Sequence, residues 1–479
     1  MSSVAAGGVR GRILEVGPVA TILGAGVAIT MGLALGFPTD GLRLLVAGSL
    51  GLLALSSAAV WPLTAIQILI ASSVFLVSFS LSPQRALNAF DLLLPPVLLV
   101  SAFGAARARA MRENAAYQGP GHADIHACTG RLSQSVVVFY AIAALSLAML
   151  ALRGQPLRAF ESFLSLLRAF QGLSIFALGL WWFRTEHDVH LAIRSLKVGA
   201  WAVFAMNVLY VATYPITRAG MTWNIGEQWW RVSGANELAT AALIVWAILQ
   251  SQSATRRTLS NVVLMAALFV LLFMTQSRSG LVAWAIYYLF QLRSPRWRSL
   301  LATSTIVFLA ASLVPAAFWG RLSRTLVLKA GSSEAFSTII RLYSWQTATR
   351  VFLDHPILGV GYLGFRFVSS EYNSLHIVLG PAESYYLEVA AGMGIMGLIA
   401  LGVAIAALWR LGRSVETVTP PGSLGHEMAR RHRPLIAALL VANCTGGTFI
   451  GMLGLSELAI WCALLVRAGH LSARSVRQT

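Results

Sequence analysis

The chain has 479 residues, of which 57% are hydrophobic and 11% are charged. Soluble domains carry roughly 25% charged residues, so this composition excludes an ordinary soluble protein. The apolar runs, mostly 16 to 25 residues long, suit α-helices that cross a hydrocarbon core of about 30 Å, whereas a transmembrane β-barrel would alternate in segments of about 10 residues. We therefore expect an all-α integral membrane protein with about 12–14 transmembrane helices.

The net charge of +18 fits a membrane protein whose cytoplasmic loops face anionic lipid. No basic domain stands apart from the apolar runs, so we expect no nucleic-acid partner. The three cysteines are too scattered in the sequence for a disulfide framework or a zinc pattern.

The apolar runs predict fourteen helices with both chain termini on the cytoplasmic side. These helices span about 18–36, 42–60, 62–81, 86–106, 133–152, 162–183, 192–214, 235–250, 259–277, 279–292, 299–319, 385–409, 434–450 and 452–468. Arginine-rich segments at 107–131, 256–257, 293–298 and 410–433 all fall on one side of this arrangement. By the positive-inside rule, that side is the cytoplasm.

We divide the chain into an N-terminal transmembrane scaffold (1–214), a catalytic core (215–409), and a cytoplasmic loop followed by the C-terminal transmembrane helices (410–479). The core contains two longer external loops, 215–234 and 320–384, which keep arginines against the usual charge bias. External arginines suggest an anionic ligand. Partial neutralisation by neighbouring carboxylates on a solvated loop is the alternative for several of them.

The polar stretch at residues 332–397 concentrates the groups that can do chemistry. Residues 334–354 place apolar side chains at helical spacing and end before Pro356, which predicts an amphipathic helix lying along the outer membrane surface. Arg341 and Trp345 are four residues apart and therefore share a face of this helix.

Arg278 interrupts two apolar runs, in Ser277-Arg278-Ser279-Gly280. A guanidinium costs about 2.5–3.5 kcal/mol at the bilayer centre and is usually functional, although near the interface it can also extend to lipid headgroups. Residues 231–237, which include Arg231 and Asn236, form a similar polar start to another helix.

Four blocks follow one another through the core: Arg231 to Ala239, Ser277 to Gly280, Arg341 to Gly361, and Glu383 to Gly397. In this order they resemble the bacterial O-antigen ligase and polysaccharide polymerase superfamily. The corresponding family patterns are Arg-x-x-Gly…Asn-x-x-Ala, Ser-Arg-Gly, Arg…Trp…Pro-hydrophobic-Gly-hydrophobic-Gly, and His-Asn-x-x-Leu…Gly-x-x-Gly. The resemblance covers roughly residues 225–400 and implies a GT-C-like membrane glycosyltransferase.

The chain departs from the family at the position of the proposed base. Glu383-Ser384 stands where the ligases commonly have His-Asn, so the resemblance implies Glu383 as the base, with His376 as the alternative. An ion pair with an arginine is another possible role for Glu383. The departure favours a polymerase of exopolysaccharide or O-antigen repeats over a ligase that transfers glycan to lipid A–core.

The resemblance also implies a diphosphate leaving group, which gains negative charge that fixed arginines can stabilise. We assign Arg278 and Arg341 to the diphosphate. The other candidate substrate-binding residues are Arg231, Asn236, Trp345, Tyr386, Arg366 and His376.

We expect no metal or other cofactor. The chain has five aspartates, without the close pair that metal-dependent glycosyltransferases use. His122, His126 and Cys128 fall in a predicted cytoplasmic loop with no second half of a metal site.

The expected partners are an undecaprenyl-diphosphate-linked oligosaccharide donor, a lipid-linked acceptor glycan and the lipids of the bacterial inner membrane, with the active site facing the periplasm. A chain-length regulator is a further candidate partner. A transporter of the same lipid-linked sugars is the competing function, but it would spread polar residues along a pathway through many helices.

Overall fold

Long apolar helices make up most of the structure. The computed structural model describes residues 66–71, 78–82, 85–88, 94, 97–98, 120–152, 156–213, 222–225, 228–231, 235–256, 258–275, 277–292, 333–446, 449 and 452–475. The helices with complete bounds in these ranges are α1 (Pro120–Leu152), α2 (Pro156–Trp182), α3 (Glu186–Thr213), α4 (Ala235–Thr255), α5 (Leu259–Thr275), α6 (Arg278–Leu292), α7 (Ser333–Asp354), α8 (Phe365–Tyr372), α9 (Tyr385–Val418), α10 (Leu424–Ala442) and α11 (Met452–Ser475).

Six helices in the described ranges are long and apolar enough to cross a membrane, and they lie within α1, α2, α3, α4, α9 and α11. The predicted all-α integral membrane fold is therefore confirmed. The predicted helices at 18–36, 42–60 and 299–319 lie outside the described residues.

Burial separates inner helices from outer ones. In the apolar parts of α11 and α4, 89% and 72% of the residues are buried, against 33% in α1. α11 packs along α2 and α4, and α1 packs along α9. The outer helices leave large apolar side chains exposed, including Val137, Leu145 and Phe163. In a bilayer these side chains face lipid, where no hydrophobic penalty arises.

Four short strands form a small antiparallel sheet that the sequence did not predict. They are β1 (Ser78–Ser82), β2 (Arg85–Asn88), β3 (Thr222–Ile225) and β4 (Gln228–Arg231), in the order β2-β1-β4-β3. Ser78 of β1 lies opposite Arg231 of β4. β1 therefore replaces the end of predicted helix 62–81, and β2 replaces the start of predicted helix 86–106, so both predicted bounds are wrong. The sheet joins this region to the loop 215–234, which the topology prediction places on the same face of the membrane.

α7 matches the predicted amphipathic helix at 334–354. Its large apolar residues Phe336 and Ile339 are 66% and 62% exposed. The buried stripe consists instead of smaller residues one turn apart, namely Ser344, Thr347, Ala348 and Val351. α7 packs with this buried stripe against α9 and α8.

α9 is broken at Gly394, and the loop after α7 fills the break. Gly394 has φ +62° and ψ −158°, and a break of this kind frees backbone groups that must be satisfied within the protein. Backbone N–H groups donate across the contact in both directions, Val360 to Ala391 (2.9 Å), Gly361 to Gly392 (2.8 Å), Ile395 to Pro356 (2.7 Å) and Met396 to Ile357 (3.3 Å). We call residues 356–361 together with 391–396 the α9 junction.

Close backbone approach explains the glycines of the α9 junction. Gly359 and Gly394 both have positive φ, at +65° and +62°. A Cβ at Gly359 would overlap the backbone of Gly392, and a Cβ at Gly394 would overlap the carbonyl of Ile357. The glycine-rich loop therefore serves to insert main chain into a helix.

Two segments predicted as cytoplasmic loop are helical. α1 begins at Pro120 rather than at 133, so His126 and Cys128 lie on a helix. α10 begins at Leu424 rather than at 434, with the Ser423 hydroxyl accepting from the His426 N–H as an N-cap. Both extensions contain charged residues, as cytoplasmic loops do, and this is why the sequence pattern predicted loops there. In addition, α9 continues through residue 410, where the sequence-based division places the C-terminal part.

Replacing Gly394 tests the α9 junction. We expect Gly394→Ala to lower stability by at least about 2 kcal/mol, because alanine disfavours positive φ and its Cβ meets the backbone of the inserted loop. Thermal unfolding of purified protein in detergent, with the yield of monodisperse protein, measures this change. Gly402→Ala is the matched control, since Gly402 lies on the same helix and a Cβ there meets nothing within 4 Å. Equal melting temperatures for both variants would contradict the assignment.

Candidate active site

Glu383 lies in a strained turn directly before α9. Its φ of +56° is in the left-handed region, which costs a non-glycine residue of the order of 1–3 kcal/mol and persists only where the surroundings enforce it. The surroundings do so on both sides. Ala382 is fully buried, and the Tyr385 N–H donates to the Asn443 carbonyl at 3.0 Å.

A buried carboxylate holds the same turn from inside. Glu388 is 2% exposed, and its Oε2 accepts a hydrogen bond of 2.8 Å from the Ala382 N–H. Its Oε1 is buried without a hydrogen-bond partner among the described residues. Burial raises the pKa of nearby Tyr362, and the Glu388 carboxylate adds to that shift, so the Tyr362 phenol stays protonated. Glu388 thus fixes the backbone from which Glu383 projects.

Glu383 contacts Arg341 of α7. Arg341 Nε lies 3.5 Å from Glu383 Oε2, with side-chain exposures of 27% and 40% respectively. The pair is therefore open enough for a ligand to reach, and the structure brings together two of the three predicted catalytic residues. A partly exposed ion pair contributes little to stability. A ligand can therefore replace one partner of this pair at small cost to the fold.

Arg278 reaches the same helix from α6. The Ser277 hydroxyl accepts from the Gly280 N–H at 3.0 Å, an N-cap that places Arg278 at the first position of α6. Arg278 Nη1 then donates to the Thr338 hydroxyl at 3.3 Å. Thr338 lies three residues before Arg341 and so shares a face of α7 with it. Arg278 therefore contacts the same stretch of α7 that carries Arg341, the other predicted diphosphate-binding arginine.

Asn236 connects the starts of two helices. Its Oδ1 accepts a hydrogen bond of 2.7 Å from Ser277 Oγ, so that oxygen takes part in the packing of α4 against α6. A Cβ at Gly280 would overlap Ala239, which shows how closely these helices approach. Arg231 ends β4, but its side chain lies outside the described part of the structure.

Tyr386 and Trp345 flank the site from different elements. Tyr386 donates its hydroxyl to the Leu440 carbonyl at 2.8 Å, which ties the start of α9 to the end of α10. Trp345 is partly buried on α7, and its indole Nε1 is buried without a hydrogen-bond partner in the described ranges. A ligand acceptor at this nitrogen would satisfy it.

Arg366 and His376 occupy other surroundings. Arg366 Nη2 lies 3.5 Å from Glu161 Oε2 of α2, and its guanidinium stacks 4.5 Å over the Phe367 ring. His376 is exposed, and its Nδ1 lies 3.1 Å from the Ser370 carbonyl. The contacts described for these two residues connect them to α2 and α8 rather than to the Arg341–Glu383 pair.

Sequence reasoning missed Thr338 and Glu388. Glu388 carries a detectable signal, because a carboxylate inside an otherwise apolar helix is costly and usually has a task. Thr338 carries none, since a threonine on a helix surface is ordinary. Among the described residues, no group of three or more His, Cys, Asp or Glu side chains comes together.

The candidate residues on α6, on α7 and before α9 fall within one recognisable segment. The family model described as O-Antigen ligase matches residues 262–402. This match supports the O-antigen ligase and polymerase superfamily that the sequence blocks indicated, and the first block, at 231–239, precedes it. Among curated proteins, none matches the chain.

The matched segment runs from α5 into α9 and contains Arg278, Arg341 and Glu383. The match is consistent with a glycosyltransferase-like membrane enzyme of the ligase and polymerase type and with lipid-linked glycan partners. Together with the apolar helices it indicates a multi-pass membrane protein.

Removing the Glu388 acceptor tests how the Glu383 turn is held. We expect Glu388→Ala to lower the free energy of unfolding by about 1–3 kcal/mol, because the buried Ala382 N–H loses its partner, and to reduce turnover as the turn relaxes. Glu388→Gln keeps an acceptor oxygen and should retain most of both. Thermal unfolding and turnover are measured for the unaltered protein and for both variants. If Glu388→Ala keeps the stability and turnover of the unaltered protein, the Glu388 carboxylate does not maintain the turn.

Proposed function

We propose that the protein polymerises undecaprenyl-diphosphate-linked oligosaccharide repeats on the periplasmic face of the bacterial inner membrane. The observation that carries the proposal is the contact between Arg341 and Glu383 (3.5 Å), within a segment that matches the O-antigen ligase family. This contact pairs a group for the leaving diphosphate with a group that can take a proton.

The arginines serve the leaving group. The donor diphosphate binds Arg278 and Arg341, and Arg341 exchanges its contact with Glu383 for one with phosphate. Charge-assisted bonds from guanidinium to phosphate are among the strongest hydrogen bonds in proteins. As the bond from the anomeric carbon to the diphosphate oxygen breaks, its electron pair leaves with the lipid diphosphate, and the fixed positive charges stabilise that transition state.

Glu383 serves the acceptor. Once Arg341 has turned to phosphate, the carboxylate is free to take the proton of a sugar hydroxyl whose oxygen attacks the anomeric carbon. The positive φ of Glu383 supports this role, because strained non-glycine residues concentrate at functional sites. The reaction needs no metal in this scheme, since arginines supply the positive charge.

Polymerase and ligase differ in the acceptor. A polymerase uses a second lipid-linked glycan, whereas a ligase uses lipid A–core. The glutamate that stands in place of the family histidine favours the polymerase. A chain-length regulator is a further partner under this proposal.

Reconstitution tests the function directly. The purified protein is given the undecaprenyl-diphosphate-linked repeat of its host without added metal, and products are resolved by size. A ladder of longer glycans supports the polymerase. Transfer only after lipid A–core is added would make the protein a ligase, and movement of the glycolipid across the bilayer without either product would make it a transporter.

The arginines are tested by truncation. We expect Arg278→Ala and Arg341→Ala each to reduce turnover by about 10²–10³-fold, the usual effect of losing one donor to the transition state. Arg350→Ala is the control, because Arg350 is an exposed arginine of the same helix whose Nη1 donates to the Tyr372 carbonyl (3.3 Å). Rates are measured on the reconstituted protein. Full activity in both test variants would remove the diphosphate assignment.

The base is tested by an isosteric change. Glu383→Gln should reduce turnover by about 10²–10⁴-fold because the amide accepts no proton, while binding of the lipid-linked donor persists. His376→Gln is the comparison and should keep normal turnover. The reverse pattern would identify His376 as the base.

A further inference from the structure

A cavity lies at the opposite end of the bundle from Glu383. It is partly open, has a volume of about 50 Å³, and is lined by His126, Arg184, Arg467, His470, Leu471 and Arg474. The lining comes from the start of α1, the residues after α2 and the last turns of α11.

The cavity and the α9 junction lie about one membrane thickness apart. On α1, Ser146 Oγ accepts a hydrogen bond from the Tyr362 N–H, beside the α9 junction (3.0 Å). His126 is twenty residues earlier on the same helix, which at 1.5 Å per residue is about 30 Å. Since this matches the hydrocarbon thickness of a bilayer, the cavity lies at the other membrane surface. The arginine bias predicts that this surface is cytoplasmic.

The lining is strongly basic. It contains three arginines and two histidines, with no carboxylate among the six residues that line the cavity. The His126 and His470 rings lie 4.8 Å apart between centroids. Asp188, close by in sequence, accepts hydrogen bonds through Oδ2 from the Arg184 and Thr185 N–H groups, as a cap of α3.

Helix ends alone do not explain this grouping. The C-terminal carbonyls of a helix favour a cation in its last turn, and α11 has Arg474 there. That effect accounts for one arginine per helix end. It does not account for cations from separate elements, Arg184 after α2 and both Arg467 and Arg474 of α11, that converge on one cavity.

We propose that this cavity binds a phosphate group, that of an anionic phospholipid of the cytoplasmic leaflet. Basic pockets between helices at this membrane surface suit lipid headgroups, and guanidinium groups suit phosphate geometry. The exposed apolar face of α1, with Val137 and Leu145, continues from the same helix and offers a surface for acyl chains. The binding is separate from the proposed glycan chemistry.

Lipid binding to the full-length protein in detergent tests the proposal. Native mass spectrometry measures binding of phosphatidylglycerol and of phosphatidylethanolamine with the same acyl chains, and thermal unfolding measures the effect of inorganic phosphate. We expect phosphatidylglycerol to bind, and to bind about tenfold more weakly to Arg474→Gln and Arg467→Gln, as expected for losing one phosphate contact. Arg413→Gln, an exposed change of the same charge on α9, should bind like the unaltered protein.

The two measurements distinguish a lipid phosphate from a soluble phosphate. If inorganic phosphate raises the melting temperature with the same dependence on the variants, and the lipid does not bind, the site takes a soluble phosphate and the lipid assignment is wrong. Equal lipid binding by all four proteins, or none by any, overturns the cavity as a phosphate site. Arg474 is exposed, so Arg474→Gln decides the outcome even if Arg467→Gln does not fold.

Discussion

The insertion of residues 356–361 into the break of α9 is the constraint on which the candidate site depends. α7 ends at Asp354, two residues before the inserted loop, and Glu383 directly precedes the N-terminal half of α9. The α9 junction therefore fixes the helix that carries Arg341 against the helix that follows Glu383. Paired backbone groups leave little freedom in register, since each N–H has one partner. The distance between the two charges follows from this main-chain contact.

Strain and charge then act together at Glu383. The turn is held by the Glu388 carboxylate behind it and by the Asn443 carbonyl beside it, so the unfavourable φ persists without help from Glu383 itself. The Arg341–Glu383 pair is partly exposed, so a ligand can reach both side chains. In the proposed reaction, an anion that binds Arg341 releases the Glu383 carboxylate, and partly exposed groups can make this exchange without a large desolvation cost.

The two ends of the bundle divide their electrostatic tasks. At one end the arginines are accompanied by a carboxylate within contact distance, which suits a site that must exchange ligands and move a proton. At the other end basic side chains line a cavity without a carboxylate among them, which suits retention of an anion. α1 reaches both ends, and its exposed apolar face lies between them.

The sequence by itself determined the membrane class, most of the helix positions that fall in the described residues, and the candidate residues of the site. Hydrophobic length and the cost of charge in lipid are local properties, so Arg278 could be singled out without a structure. Arg341 and Glu383 were singled out by the resemblance of their sequence blocks to a known family. The sequence did not reveal the small sheet, the charged extensions of α1 and α10, or the roles of Thr338 and Glu388. The sheet and the role of Thr338 depend on contacts between residues far apart in the chain, such as the hydrogen bond from Arg278 Nη1 to the Thr338 hydroxyl. The helical extension of α10 is instead supported by a local ion pair, because Glu427 lies 2.7 Å from Arg431 one turn later. Only the tertiary structure decided that the glycine-rich loop enters α9 and that Arg341 meets Glu383, because both follow from which backbone groups find partners once the helices pack.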